Sequence, residues 1–393
     1  MTAAKLVFWA LATFGHAALW VAVVNRWHAT GFSRPVIKSV TVLFYAALVA
    51  PFAWVAWLLW NEDWSTPALA GYLQTTGVVA YALVCAIYGA VHAAIWLPRR
   101  RALDRHPQAV DVAVPQVVDL AASLGSSPAR GWRAQLLSRV PGNELWRLHV
   151  TEAAVTLPAL PPELAGLSIV HWSDLHLSGR IDRGYFREMV RLTQKRPADL
   201  LVLTGDICDS ARCIDWIGEL FGPATARLGK YFILGNHDLR TRDVPRLRAA
   251  MADAGFTDVG GRQIAIANGR IVLAGDERPW FPGEPPRELP ADALAESLKI
   301  LLAHTPDRLA WARSRQFDLL LAGHTHGGQI RFPLIGPVIC PSWHGMRYAS
   351  GFYHEPPTLM HVSRGTASLF PLRWGCPPEI ARLVLRSGVS APR

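Results

Sequence analysis

The sequence predicts an α/β domain with mostly parallel strands, preceded by three helices that cross a membrane. Two observations carry this prediction. Between Leu6 and Leu97 three long apolar stretches run almost free of acidic residues. Beyond about residue 140, short apolar runs alternate with helix-like stretches and stop at Gly, Asp, Asn or His. A chain of 393 residues has room for two or three domains. Only 18% of it is charged, against roughly 25% in soluble proteins. The formal net charge of +10 is carried largely by arginine, a balance that suits an anionic membrane surface, phosphorylated substrates or nucleic acid. The five cysteines (Cys85, Cys208, Cys213, Cys340, Cys376) are odd in number and form no C-x-x-C pair. That excludes a simple disulfide framework or zinc ribbon and favours a reducing compartment.

The apolar stretches are Leu6–Val24, Val36–Trp60 and Gly77–Leu97. A helix needs about 20 apolar residues to cross the hydrocarbon core, and each stretch reaches that length. Trp9, Trp20, Trp60 and Trp96 lie near their ends, as at a lipid–water interface. Only Lys5 is charged ahead of the first stretch and no small-x-small site follows it, so it reads as a span rather than a cleaved signal peptide. His16 and His92 fall inside spans and are expected to pack between helices.

The loops fix an orientation. Arg26, Arg34 and Lys38 lie around the first loop. Glu62 and Asp63 occupy the second, and Arg99, Arg100, Arg101 and Arg105 follow the third span. The positive-inside rule then puts the N-terminus outside and the C-terminal domain in the cytoplasm, on a multi-pass protein of the inner (cytoplasmic) membrane. The predicted organisation is a transmembrane region over 1–97, a basic juxtamembrane linker over 98–144 and a catalytic domain over 145–393. Within the linker, "AASLGSSPARG" is rich in turn residues. Trp132–Val140 could form a short amphipathic helix, which fits a membrane surface and an ordinary protein surface equally.

In the third region the strand ends collect polar residues of one kind. "LSIVHWSDLH" ends at Asp174 and His176, "ADLLVLTGDICD" at Asp206 and Asp209, and "KYFILGNHD" at Asn236, His237 and Asp238. "RIVLAGDE" ends at Asp276, "LKILLAHTPD" at His304, and "FDLLLAGHTH" at His324 and His326. Continuous apolar runs indicate strands buried on both faces, and intervening helices imply right-handed parallel crossovers. Ligands of such sheets bind outside the carboxyl ends of the strands. One Asp after a strand is usually a turn former or helix cap; ligand chemistry at every strand end is not explained that way. Glycine precedes several of these groups, among them Gly205, Gly235 and Gly323, which lets backbone come close. If 323–326 is extended, His324 and His326 face the same side. The mixed N/O inventory, without thiolate, suits manganese, iron, zinc or cobalt rather than calcium. It contains enough ligands for two ions, which would polarise a phosphoryl oxygen and deprotonate a bridging water.

The ordered set "DLH" at 174, "GDICD" at 205, "GNHD" at 235, His304 and "GHTH" at 323 resembles the calcineurin-like metallophosphoesterase family. The match spans about residues 165 to 330. "HWSDLHLSG", "GHTHGGQI" and the closing "PLRWGCPPEIARLVL" resemble its membrane-anchored branch. The resemblance implies a four-layer α/β/β/α metallophosphoesterase sandwich behind the three-helix transmembrane region. It implies two divalent ions, manganese first, with iron, zinc or cobalt compatible. Asp174, His176 and His326 would hold one ion and Asn236, His304 and His324 the other, with Asp206 bridging. His237 would act on the leaving group, with Asp238 as its orienting carboxylate, and Asp209 would support a ligand from behind.

The substrate implied is a phosphodiester or pyrophosphate. The membrane tether and neighbouring arginines favour an amphiphilic or lipid-linked one, a class that includes the UDP-2,3-diacylglucosamine pyrophosphatases of lipid A synthesis. The apolar "IRFPLIGPVICPSW" after the last histidine pair fits either a loop that dips into lipid or a packed hairpin. A catalytically silent, metal-bound membrane scaffold is the alternative from another class; the complete ligand set and His237 argue against it. Nucleic acid is not an expected partner, because the basic residues gather beside the spans.

Overall fold

The computed structural model describes residues 3–61, 71, 75–102 and 106–388. The chain divides into two compact units, Met1–Arg105 and His106–Arg393.

Among the described residues, the first unit holds three long helices, Ala3–His28, Arg34–Asn61 and Thr76–Ala102. Each contains a stretch long and apolar enough to cross a membrane. Large apolar side chains such as Leu43, Val42 and Val84 point outward, as lipid-facing residues do in a helix that is apolar all round. The first and third helices cross tightly where Gly15 meets Cys85 and Gly89 meets Leu11, a contact that small residues allow. His16 lies between helices, its Nδ1 2.7 Å from the Tyr81 hydroxyl and its Nε2 3.0 Å from the Leu48 carbonyl. His92 stacks on Tyr88. Glu62, Asp63 and Arg105, used above for orientation, lie outside the described residues.

The second unit is built on two main sheets. The larger has eight strands: β1 (Val110–Val112), β2 (Gln116–Asp119), β3 (Arg147–Leu157), β4 (Ser168–Trp172), β5 (Leu200–Thr204), β6 (Lys230–Ile233), β7 (Phe256–Asp258) and β16 (Glu379–Ser387). Its order is β1-β3-β16-β4-β5-β6-β7, with β2 also on β3. The smaller has six: β8 (Gln263–Ile266), β9 (Ile271–Asp276), β10 (Leu298–Ala303), β11 (Leu319–Ala322), β14 (Gly351–Glu355) and β15 (Thr358–Val362), in the order β14-β15-β11-β10-β9-β8. A hairpin of β12 (Arg331–Phe332) and β13 (Gly336–Pro337) stands apart from both. The inner strands β4 to β7 pair in parallel, as do β9, β10, β11 and β15.

Alternation along the strands builds the layers. On β5, Leu200 and Val202 face the second sheet, where they meet Leu273, Ile300, Leu302 and Leu321. Leu201 and Leu203 face the other way, under Phe186, Met189, Leu247 and Met251 of the helices Arg183–Gln194 and Val244–Asp253. On the far side Leu301 and Leu320 pack beneath Leu309 and Ala312 of the short helix Leu309–Ser314. Helix, sheet, sheet and helix give the four layers expected. Burial on both faces explains why these strands read as unbroken apolar runs.

Residues 110–112 and 116–119, inside the stretch read from sequence as a linker, are strands. β1 pairs with Val155–Ala153 of β3 and β2 with Val150–Arg147. Leu120 follows directly and is fully buried in the core beneath the helical layer, with Leu145 and Leu148. The 106–144 segment thus belongs to the packed unit. Replacing Leu120 by Ala is expected to destabilise that unit by about 2–5 kcal/mol, read as a lowered unfolding midpoint of the full chain in detergent. An unchanged midpoint would mean that this segment is peripheral.

Candidate metal centre

The carboxyl ends of five central strands converge on one cluster. β4 leads to Asp174 and His176, β5 to Asp206 and Asp209, β6 to Asn236 and His237, β10 to His304, and β11 to His324 and His326. Potential ligand atoms of Asp174, His176, Asp206 and His326 lie within 4.8 Å of one another, as do those of Asp206, His304 and His324. Asp206 is common to both groups. A third group joins His176, Asp209 and His237.

The backbone here is unusual. Asp174, His176, Asp206, His324 and His326 all have φ between 50° and 71°. Non-glycine residues rarely adopt this left-handed region, and strain of this kind gathers at functional sites. The conformation corrects the extended geometry expected of 323–326. β11 ends at Ala322, and a left-handed, right-handed, left-handed succession at His324, Thr325 and His326 swings the two imidazoles inward. Thr325 turns away and donates to the Ala349 carbonyl at 2.7 Å. At Gly235 a Cβ would lie 2.6 Å from the His304 ring, and at Gly323 it would collide with Ser173 and Asp174. Bare backbone at these positions is what lets the strand ends meet.

The hydrogen bonds show what the cluster lacks in protein atoms. His304 Nδ1 donates to the Thr204 carbonyl at 2.7 Å, since a carbonyl can only accept. The other nitrogen, Nε2, then carries a lone pair in the neutral ring. It faces Asp206 Oδ1 at 3.2 Å and Asn236 Oδ1 at 3.1 Å, both acceptors. Three acceptors meet with no hydrogen among them unless a cation or proton joins. On the other side, His176 Nδ1 is held by Asp209 Oδ2 at 2.8 Å. Its Nε2 lies 3.0 Å from His326 Nε2 and 3.7 Å from Asp206 Oδ2. His326 Nε2 is 3.3 Å from Asp174 Oδ1. This donor set, imidazole and carboxylate with the outer imidazole nitrogens anchored, fits divalent transition metals.

The electrostatics agree. Burial disfavours a charged imidazole at His176 and His304, yet the surrounding carboxylates raise both to about 9. Burial, His176 and the Arg373 guanidinium hold His326 well below its ordinary value, so it stays neutral as a ligand must. Burial would raise Asp209, but the His176 charge and its hydrogen bonds to both imidazoles push it below the usual carboxylate range.

Asp209 also corrects the expected partner of His237. His237 Nδ1 meets Asp209 Oδ1 at 2.7 Å, and Arg240 binds the same oxygen. Asp238 cannot serve, because its carboxylate accepts from the backbone amides of Ile207, Cys208 and Gly235 at 2.7–2.8 Å. Asp276 is not part of the cluster; Arg278 and Arg308 neutralise it at 2.7 and 2.8 Å. The sequence reading missed two other neighbours. The Trp280 ring centre stands 4.7 Å from that of His324 and 5.4 Å from that of His304. Arg373 is fully buried, with Nη2 3.2 Å from His326 Nδ1 and its other donors on the carbonyls of Arg364 and Ala367. A lone arginine in the apolar "PLRWGC" was the only signal for the latter.

Comparison with known proteins agrees with this geometry. Residues 167–328 match the family model of the calcineurin-like phosphoesterase. The chain is 31% identical over 247 residues to the uncharacterized metallophosphoesterase YkuE of Bacillus subtilis, covering 61% of this chain and 86% of that protein. It is 29% identical over 227 residues to the phosphodiesterase YaeI of Escherichia coli, covering 56% and 83%. A transmembrane protein with metallophosphoesterase domain from Bos taurus is 30% identical over 263 residues, covering 61% of this chain and 57% of the relative.

The raised histidines give a pH dependence with a definite sign. Without metal, His176 and His304 keep their protons up to about pH 9, whereas in the unfolded chain they release them near 6.5. The stability they contribute is therefore complete below pH 6.5 and lost as pH rises through 9. A metal must displace the same protons, so its affinity rises over that window. Thermal unfolding of metal-stripped and metal-loaded protein should diverge progressively between these pH values. A constant metal-induced shift would contradict this protonation scheme.

Proposed function

Because this chain belongs to the calcineurin-like phosphoesterase family, we propose that it is a membrane-anchored phosphoesterase that uses two divalent ions to hydrolyse an amphiphilic, lipid-linked phosphodiester or pyrophosphate. The observation that carries the two-ion reading is that two groups of converging ligand atoms, one of Asp174, His176, Asp206 and His326 and one of Asp206, His304 and His324, share Asp206. Asp174, His176 and His326 would hold one ion and Asn236, His304 and His324 the other, with Asp206 shared between the two groups. Manganese is the first expectation, with iron, zinc and cobalt compatible with the same ligands. Such ions supply Lewis acidity toward the phosphoryl oxygens and lower the pKa of a water.

The chain's own residues do the rest. Asp209 fixes His237 through Nδ1, which leaves Nε2 to give a proton to the departing oxygen. The His237 amide donates to Asp206 Oδ1 at 2.8 Å and so locks that carboxylate against the turn bearing the acid. Asp238, through its three amide bonds, ties the β5 and β6 turns together and sets the distance between them. Trp280 walls one side of the site and excludes water from it.

The amphiphilic substrate class is supported by the three apolar helices in the same chain. Diacylated nucleotide-sugar pyrophosphates fall inside this class. The charges flanking the spans support a cytoplasmic catalytic unit and an external N-terminus on an inner-membrane protein.

Two experiments test the reading. Asp206→Asn is expected to abolish manganese-dependent hydrolysis of an aryl phosphodiester, a loss of at least about 100-fold; retained activity would sink the two-ion site. A reporter fused after Arg393 should read cytoplasmic, and activity of a reporter that works only outside the cytoplasm would reverse the orientation.

A further inference from the structure

One face of the catalytic unit gathers several exposed apolar tips. It is made from three separate segments. The short helix Trp132–Ser138 presents Trp132 and Leu136, which are 70% and 62% exposed. The tip of the β12–β13 hairpin presents Leu334 and Ile335, at 85% and 50%. The loop before β16 presents Phe370 and Trp374, at 58% and 43%.

Hydrogen bonds join the three into one region. Asn143 Nδ2 donates both to the Leu137 carbonyl, at 3.0 Å, and to the Pro371 carbonyl, at 2.8 Å. The Arg331 amide donates to the Trp374 carbonyl at 2.8 Å, and the Phe332 and Trp374 rings meet edge to face. Gln329 Nε2 donates to the carbonyls of Phe370 and Leu372. The hairpin is thus held at its base, while its tip carries apolar side chains into solvent. Of the two readings left open for this segment, the packed hairpin describes its base.

The charge pattern of the three segments is one-sided, and the acids beside them, Glu144 and Asp182, are tied to the Cys376 amide and to Arg130. No Asp or Glu occurs in residues 120–143, 327–354 or 365–378. Arginines edge it instead: Arg133 lies over the Trp132 ring and Arg180 over the Phe370 ring. Exposed tryptophan and aliphatic tips within an arginine rim match the interface of an anionic bilayer, where aromatic rings settle at headgroup depth and arginines meet phosphate. A protein partner would more often bring a polar rim of both signs. The same chain carries three helices long and apolar enough to cross a membrane. The face borders the metal centre. Gln329 follows His326 by three residues, and Arg373, between Phe370 and Trp374, reaches His326.

We propose that this face is a membrane-docking surface: it seats in the headgroup layer of an anionic bilayer and receives there a phosphoester whose acyl chains remain in the lipid. The second half of the proposal rests on the phosphoesterase reading above; the first does not.

The test uses the full chain in lipid nanodiscs. All five native cysteines are buried, so a cysteine introduced at the surface can be labelled selectively. Leu334→Cys and Phe370→Cys, each carrying an environment-sensitive fluorophore, should show blue-shifted emission and quenching by spin-labelled lipid in phosphatidylglycerol-containing discs. Ala165→Cys, on the loop entering β4 away from the metal centre, should stay water-like. Replacing phosphatidylglycerol by phosphatidylcholine, or raising salt, should weaken the quenching at 334 and 370. Water-like, unquenched emission at both positions would overturn the docking surface, including the case in which the face serves a protein absent from the discs. The same readings are taken in an Asp206→Asn background, so that failure of the catalytic reading is seen separately. For the substrate half, Leu334→Asp with Ile335→Asp should lower the ratio of bilayer-embedded to soluble phosphodiester hydrolysis by about tenfold. An unchanged ratio would overturn that half.

Discussion

The architecture depends on one buried carboxylate. Asp206 lies where the turns after β5, β6, β10 and β11 meet, with His304 on one oxygen and His176 facing the other. A carboxylate taken from water costs several kcal/mol unless charges and hydrogen bonds replace its hydration. Here the replacement comes from the His237 amide and from imidazoles borne by both sheets. Neither sheet alone could satisfy Asp206. The requirement that both reach it fixes how the two sheets face each other, and the inter-sheet core of Val202, Leu273, Ile300 and Leu321 holds that alignment.

The strained turns follow from the same constraint. A residue that must aim its side chain back over the strand it leaves cannot continue along the pleat, and the left-handed region provides the reversal. Each such residue costs of order 1–3 kcal/mol and persists only if its surroundings leave no alternative. The surroundings qualify: β4, β5, β6, β10 and β11 are buried nearly end to end. Rigid strands transmit no slack to the turns. The glycines at 235 and 323 then allow neighbouring turns to close to distances that any side chain would forbid.

Much of this was legible in the sequence, because the signals are local. Apolar runs of strand length ending in His, Asp or Asn revealed both the sheets and the polar residues that converge at their ends, and three stretches of about 20 apolar residues revealed the helices. What escaped was non-local. β1 and β2 are three and four residues long and separated by Pro115, too short for a periodic signal; only pairing with β3 makes them strands. Asp238 looked like the partner of His237 because it is adjacent in sequence, yet consecutive residues diverge in a tight turn. Asp209, 28 positions earlier, is the group that arrives. Trp280 and Arg373 reach the centre from segments with no ligand motif, and the kink at 324–326 depends on backbone angles that a residue string does not encode.

The position of β16 has a consequence for how the protein comes into being. This last strand lies between β3, in parallel, and β4, antiparallel. Until it is synthesised, the first ligand strand has no neighbour on that side, and the loop bearing Arg373 has nothing to anchor it behind His326. A ribosome therefore releases the three apolar helices long before the metal centre can be completed. The ligand residues can therefore converge only after the chain has been extended through β16, when every strand that carries them already exists.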